Sequence, residues 1–468
     1  MELLDVTIWQ MCDTFCFQAG KNRMNTAEKK LTKFALACLF MFTFSGVMSL
    51  IAVKYDNMLL RIWKEGLIIA LFCVSLAMLI FRREVPLKKI TVFFILFLPF
   101  IAIYFLLSIN INPLLVAYQI KNDVVPFLFV FSLFLFLRTD EGKINFYHKL
   151  IRLIIITALI NSFFIYIESF FSDVFMSYLN IEDLNNEGGK SGVRLDNSLW
   201  GLRAMGTMTS FINSGTLTFF GIVCVLESRQ FKFTTKVLFL SILTSAMILT
   251  TYKSTMIALV FYFATKFVYF VFKRVKGAKL IYPISGFLIF CLLAFTFNSM
   301  SIYNLLSTGA YKEVAYNSIY NRVIQHEDII NEMESKNGFY TGVGVGTNGT
   351  MGPDQKLKVS SKPLDSTYIY IMSNYGFIGV IIYILVLMSV FIYLSTFNRR
   401  FDNIALVMVF YTFSIEFFIN NIFANFPCNI IFYSAVFMSM TLKKNGPGNI
   451  VLPQNRQSPA RQNFVAND

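Results

Sequence analysis

The stretch that decides the fold is residues 299–368, which read SMSIYNLLSTGAYKEVAYNSIYNRVIQHEDIINEMESKNGFYTGVGVGTNGTMGPDQKLKVSSKPLDSTY. It contains six Lys or Arg residues, seven Asp or Glu residues and the glycine run Gly342-Val-Gly-Val-Gly346. The rest of the sequence is mostly apolar, and segments long enough to span a bilayer flank this stretch, nine before it and three after it. We interpret the apolar segments as a membrane frame and residues 299–368 as part of the functional end.

The composition predicts a polytopic membrane protein, because 56% of the 468 residues are hydrophobic and only 15% are charged. A soluble protein could not bury that much apolar surface. In hydrocarbon, every backbone polar group needs an internal partner, so a spanning segment is either a helix or part of a closed barrel. The apolar runs are continuous and do not alternate with polar residues, which predicts helices and therefore an all-α fold.

The apolar runs predict twelve transmembrane helices and divide the chain into five parts. The spans are expected near 31–53, 62–81, 90–108, 124–137, 150–170, 207–226, 237–252, 254–272, 281–298, 369–394, 403–423 and 429–442. Residues 1–30 form a cytoplasmic N-terminal segment, 31–298 hold spans one to nine, 299–368 form a large external loop, and 369–442 hold spans ten to twelve. Residues 443–468 are rich in Pro, Asn and Gln and are expected to be a disordered cytoplasmic tail.

The formal net charge of +14 is distributed in a way that indicates membrane orientation and not binding to nucleic acid. The even-numbered loops between the predicted spans carry sixteen Lys or Arg residues, whereas the short odd-numbered loops carry four. Because basic residues concentrate in cytoplasmic loops, both termini are predicted to be cytoplasmic and residues 299–368 external.

Four charged residues are expected at the external ends of spans or in the external loop: Arg203, Lys253, Arg322 and Asp365. Charges so close to hydrocarbon are costly unless they are paired or face water. Cations that converge at a membrane surface are suited to a lipid-linked phosphate or diphosphate, which arginine binds through two parallel hydrogen bonds. The alternative for Arg203 and Lys253 is that they extend to the lipid headgroups as ordinary interfacial cations.

Three further ionisable residues have two interpretations each. His326 lies one helical turn after Arg322, so it is a candidate general base or an ordinary surface histidine. Glu168 and Glu416 lie in or beside predicted spans, where each either serves a proton path or pairs with a polar neighbour. The glycine run lacks the Lys-Ser/Thr of a phosphate-binding loop, which favours a tightly packed turn over a nucleotide site.

Three sequence elements, taken in order, resemble the superfamily of bacterial O-antigen ligases and O-antigen polymerases. The resemblance covers about residues 195–395, and Lys253-Ser254 occupies the place of a frequent Ser-Arg pair in that family. The three elements are Arg203-Ala-Met-Gly206-Thr, Asn321-Arg322 followed by Thr341-Gly-Val-Gly-Val-Gly346, and Asp365-Ser-Thr-Tyr with Gly376-Phe-Ile-Gly379.

The resemblance implies an inner-membrane glycosyltransferase that polymerises O-antigen or capsular repeat units at the periplasmic face. Donor and acceptor would both be oligosaccharides linked to undecaprenyl diphosphate, with Arg203, Arg322 and Lys253 binding the diphosphate. Asp365 or His326 would be the catalytic base, and no metal, cofactor or nucleic acid would take part. Membrane lipids and a chain-length regulator protein are the other expected partners.

Two alternatives to a polymerase stay open from the sequence. Ligases of this family, which transfer a finished glycan to lipid A-core, usually have histidine where this chain has Asp365, so a polymerase is favoured over a ligase. A flippase or another transporter is the more distant alternative. Transporters typically place charged residues near the bilayer midplane and contain repeated halves, whereas here the charges are predicted at the outer rim and the chain shows no repeat.

Overall fold

The computed structural model describes residues 26–55, 58–81, 101–109, 111–174, 197–198, 201–228, 230–297, 321–349, 362–364, 366–396 and 402–442. Within these ranges the chain is almost entirely helical. The helices are α1 Thr26–Phe42, α2 Ser45–Lys54, α3 Met58–Phe81, α4 Pro113–Phe136, α5 Asp140–Phe170, α6 Phe211–Glu227, α7 Phe233–Leu249, α8 Lys253–Phe272, α9 Ile281–Phe297, α10 Asn321–Ser335, α11 Thr367–Thr396, α12 Ile404–Ile419 and α13 Cys428–Thr441. Residues 101–108 are also helical, and two pairs of two-residue strands join Asn197–Ser198 to Gly201–Leu202 and Asn348–Gly349 to Lys362–Pro363.

The apolar helices confirm an all-α membrane protein. In the part of the chain that the structure describes, six helices are long and apolar enough to cross a membrane, and α1 with α2, bent by 63° at their junction, would make a seventh. Helices α6, α7, α12 and α13 are apolar but shorter. Twelve spans and a large external loop stay predictions, because residues 82–100, 298–320 and 350–361 lie outside the described ranges, as do most of the two terminal segments.

The fourth predicted span is longer than the sequence indicated, and Lys121 does not lie in a loop. Helix α4 begins at Pro113, where the Asn112 side chain accepts a hydrogen bond from a backbone N–H, and not near residue 124. Lys121 forms an ion pair with Glu65 of α3, with 3.0 Å between Nζ and Oε1. Asp123 accepts hydrogen bonds from tyrosine hydroxyl groups. These distant partners make charged residues tolerable inside the helix.

Hydrogen bonds between helix ends define the end of the bundle that we call the basal end. Tyr147, near the start of α5, donates to Asp402, just before α12, at 2.6 Å. Glu227, at the end of α6, accepts from Lys266 of α8 at 2.8 Å and from Asn403 at 3.2 Å. The starts of α5 and α12 and the ends of α6 and α8 therefore lie together. The starts of α6 and α8 and the end of α12 lie at the opposite end, which we call the site end.

Helix α10 belongs to the hydrophilic stretch but is attached to the frame by its own apolar cluster. Ile329 and Met333 of α10 are almost fully buried, and they pack with Ile369 and Met372 of α11 and with Phe418 of α12. Burying these side chains gives α10 a fixed position at the site end, because the hydrophobic gain is lost if the helix moves away.

The glycine run is a tightly packed turn, which confirms the interpretation from its sequence. Gly342, Gly344 and Gly346 have φ angles of 85°, 113° and 90°, a region that favours glycine. A Cβ atom on Gly342 would lie 2.6 Å from backbone atoms of α11, and one on Gly346 would lie 2.9 Å from the backbone of α4. The Gly346 N–H donates to the Asn374 side chain at 2.9 Å. The turn thus packs tightly between α4 and α11.

Candidate functional site

The segment that carries Arg203 is held by two buried polar side chains of α5. Glu168 accepts hydrogen bonds from the backbone N–H groups of Met205 and Gly206 at 2.7 and 2.8 Å. Asn161 accepts from the backbone N–H and the hydroxyl group of Thr207 at 2.9 and 3.0 Å. The backbone must turn sharply to reach both acceptors. Glu168 therefore pairs with polar groups, which is the second of the two interpretations drawn from the sequence.

Arg203 and Lys253 are linked by a pair of aromatic rings at the site end. The Arg203 guanidinium lies 4.8 Å from the centre of the Phe211 ring, at the first residue of α6. Phe211 meets Tyr252 edge to face, with 6.0 Å between ring centres. Tyr252 directly precedes Lys253, the first residue of α8. A guanidinium group is attracted to the face of an aromatic ring. The contact between Phe211 and Tyr252 therefore constrains the position of Arg203 relative to Lys253.

The turn that presents Lys253 is tight, and a glycine of α6 allows its close approach. Thr251 adopts a φ angle of 53°, and the Thr250 hydroxyl accepts from the Tyr252 N–H at 3.3 Å. A Cβ atom on Gly215 would lie 2.9 Å from the Tyr252 ring. Lys253 itself is exposed. Its ammonium group can therefore reach a ligand while its backbone stays fixed.

The structure brings the three predicted diphosphate-binding residues together. The positive charges of Arg203 and Arg322 both act on the Lys253 ammonium group, although the three residues come from segments far apart in the sequence. Arg322, the second residue of α10, donates to the backbone carbonyl of Ile419 at the end of α12, at 3.1 Å. Arg203 and Arg322 are half-buried. Two half-buried guanidinium groups beside an exposed ammonium group attract an anion more strongly than the same charges fully in water.

His326 is buried and does not lie on the surface. It is 3% exposed, and its ring lies 5.2 Å from the ring of Tyr368 in α11. Burial and the neighbouring Arg322 charge lower the pKa of His326 from 6.5 to about 4. The imidazole is therefore neutral near pH 7 and packs in an aromatic contact. Its role as a general base stays a prediction.

Asp365 lies outside the described residues, but the residues that follow it belong to the site end. The Ser366 hydroxyl donates to the carbonyl of Phe417 at 3.3 Å, and the Thr367 hydroxyl donates to the carbonyl of Asn420 at 2.7 Å. The start of α11 is thus bound to the same segment of α12 that receives the Arg322 hydrogen bond.

Glu416 lies in a polar network that the sequence did not assign to the site. It is 1% exposed and ends a π-helical turn, Thr412–Glu416. Its Oε1 atom accepts from the side-chain amides of Asn420 and Asn425, each at 2.7 Å, and its Oε2 atom accepts from the Tyr252 hydroxyl at 3.5 Å. The run Asn420-Asn421-Ile-Phe-Ala-Asn425, polar residues following an apolar span, is the sequence signal that could have indicated this network.

Fold and site together define an all-α membrane protein with a cluster of three cations at one end of its helices. In the residues whose placement is described, no group of three or more His, Cys, Asp or Glu side chains is arranged to hold a metal ion. No family model, curated protein or solved structure matches the chain.

Proposed function

We propose that this chain is a glycan polymerase of the inner membrane. It joins O-antigen or capsular repeat units that are carried on undecaprenyl diphosphate, at the periplasmic face. The observation that carries the proposal is the convergence of Arg203, Lys253 and Arg322 at the site end. The sequence resemblance gives the same three residues the role of diphosphate ligands, and the charge distribution of the loops favours an external site.

The reaction requires stabilisation of a departing diphosphate. An acceptor hydroxyl attacks the anomeric carbon of the donor sugar, a new glycosidic bond forms, and the bond from carbon to the diphosphate oxygen breaks. The diphosphate leaves with the electron pair, and the hydroxyl proton passes to a base. Negative charge therefore grows on the leaving oxygen. Preorganised cations at that position lower the barrier, and Arg203, Lys253 and Arg322 supply them.

The base is assigned to Asp365, with His326 as the second candidate. Ser366 and Thr367, which follow Asp365 in the sequence, contact the segment of α12 that binds Arg322. The neutral His326 has a low basicity. Asp365→Asn removes the proton acceptor and is expected to lower the rate by about 10²–10⁴-fold.

The test is polymerisation in vitro by purified protein acting on lipid-linked repeat units. Arg203→Ala and Arg322→Ala should each abolish polymer at normal protein abundance. Arg203→Lys should recover little, because lysine cannot form two parallel hydrogen bonds with a phosphate. The matched control is Arg274→Ala, which removes an exposed arginine just beyond the other end of α8 and should leave polymerisation unchanged.

The same assay separates the proposal from its alternatives. Polymer formed from repeat units alone supports a polymerase, whereas transfer only to added lipid A-core supports a ligase. Full polymer from Arg203→Ala and Arg322→Ala would remove the diphosphate role from both arginines and overturn the proposal. Transfer of intact lipid-linked units across a vesicle membrane, without bond formation, would support a transporter.

A further inference from the structure

A groove of about 310 Å³ lies between α5 and α7, near the basal end of the bundle. One wall is a stripe of α5 residues at helical spacing, which begins at Arg152 and ends at Leu159. These eight residues cover about 10 Å along the helix. The other wall is formed by Phe231 and Phe239, whose rings meet edge to face with 5.6 Å between their centres. The groove is therefore narrow and runs along the two helices.

The groove has one polar end, and its other walls are apolar. Arg152 lies at the polar end, where its Nε–H donates to the side-chain oxygen of Gln230 at 3.1 Å. Gln230 belongs to the short connection between α6 and α7, three residues after Glu227 at the basal end. Ile156, in the α5 wall, is 53% exposed on a helix long enough to span a membrane, so it contacts lipid. The groove thus borders the bilayer, with its polar end toward the basal surface.

The polar end carries an excess of positive charge. Arg152 is exposed, and its two terminal NH₂ groups have no hydrogen-bond partner among the residues that the structure describes. Lys149, one turn earlier on α5, and Lys232, next to Phe231, are exposed as well. The described lining of the groove contains no carboxylate. The free side of the Arg152 guanidinium is suited to a phosphate group, which it can bind through two parallel hydrogen bonds.

We propose that this groove binds one anionic phospholipid, with its phosphate on Arg152 and one acyl chain between α5 and α7. A free phosphate would leave the apolar walls uncovered, and a neutral lipid would leave the guanidinium without an anion. Basic pockets between membrane helices on the cytoplasmic side bind anionic headgroups in this way. The site lies at the opposite end from the cation cluster, so the inference does not depend on the proposed polymerase activity.

The experiment is native mass spectrometry of the purified full chain in detergent with phosphatidylglycerol, and with phosphatidylcholine as the neutral lipid. One phosphatidylglycerol should stay bound per chain and should also raise the unfolding temperature. Phosphatidylcholine and inorganic phosphate should each have a much smaller effect. Arg152→Ala should weaken phosphatidylglycerol binding by about tenfold or more, because charge-assisted hydrogen bonds are lost. The matched control is Arg274→Ala, an exposed arginine at the same end but outside the groove, which should leave binding unchanged.

A second variant tests the acyl-chain part of the site while Arg152 stays in place. Leu159→Phe puts a larger side chain into the groove and should weaken phosphatidylglycerol binding by about tenfold. Its matched control is Ile167→Phe, which enlarges an exposed apolar residue of α5 outside the groove and should have no effect.

Three results would overturn the proposal. Equal binding by Arg152→Ala and Arg274→Ala would remove the phosphate contact. Unchanged binding by Leu159→Phe would show that lipids are attracted only to the basic surface. An equal response to phosphatidylcholine, or to inorganic phosphate alone, would show that the groove does not select an anionic lipid.

Discussion

Replacing Gly206 with alanine should displace the backbone segment that carries Arg203, and the resulting loss of folding free energy can be worked out from the structure. Gly206 has a φ angle of 58°, and an added Cβ atom would lie 2.4 Å from Oδ1 of Asn161. That oxygen accepts both hydrogen bonds from Thr207. The left-handed backbone costs alanine about 1–2 kcal/mol, and each displaced hydrogen bond about 0.5–1.5 kcal/mol. The expected loss of folding free energy is therefore about 2–5 kcal/mol.

The assay is unfolding of the purified protein in detergent, with Gly66→Ala as the matched control. A Cβ atom on Gly66, within α3, meets no atom within 4 Å. Alanine is the better residue inside a helix by about 0.5–1 kcal/mol, so this control should be neutral or slightly stabilised. Gly206→Ala should also weaken inorganic diphosphate binding, because Arg203 moves with its segment. Equal unfolding temperatures for the two variants, together with unchanged diphosphate affinity, would refute the reasoning.

Two further predictions concern pH and topology. The pKa of His326 is lowered from 6.5 to about 4, so between these values the unfolded chain binds a proton that the folded chain does not. The free energy of unfolding should therefore decrease as the pH falls through this range, by about 2 kcal/mol at pH 5. Unfolding measurements at pH 7 and pH 5 should show that His326→Asn removes this decrease. A reporter that is active only outside the cytoplasm should be active when fused at Ser335 and silent when fused at Lys276; the reverse pattern would invert the orientation.

The positions of the helices follow from the sequence because they depend on local composition. Most helices of the described chain overlap a predicted span within a few residues, since a continuous apolar run has to be helical in hydrocarbon. The start of α4 at Pro113 could not be predicted in this way. Lys121 and Asp123 interrupt the apolar run, and their partners, Glu65 and the tyrosines, come from elsewhere in the chain. Which charges are neutralised by distant groups is a property of the folded state.

The candidate site was accessible to sequence reasoning only in part. Arg203, Lys253 and Arg322 were selected because they stand at span ends or in a loop that the charge pattern assigns to one side, and the structure brings them together. The contact between the Phe211 and Tyr252 rings was not predicted, because aromatic residues make up 17% of the chain and do not mark one position. Their contact depends on how α6 packs against the turn before α8.

Helix termini of both signs meet at the site end. Helices α6 and α8 begin there, at Phe211 and Lys253, and the start of α11 is bound to the same region through Thr367. Each helix start carries a partial positive charge of about half a unit. Helix α12 ends there with the opposite sign, but its terminal carbonyl at Ile419 is occupied by Arg322. Helices α7 and α5 also end there, at Leu249 in the turn before Lys253 and at Phe170 beside the Arg203 segment, so positive and negative helix ends occur together. The preference of this end for an anion therefore rests on the side chains of Arg203, Lys253 and Arg322 and not on the helix dipoles.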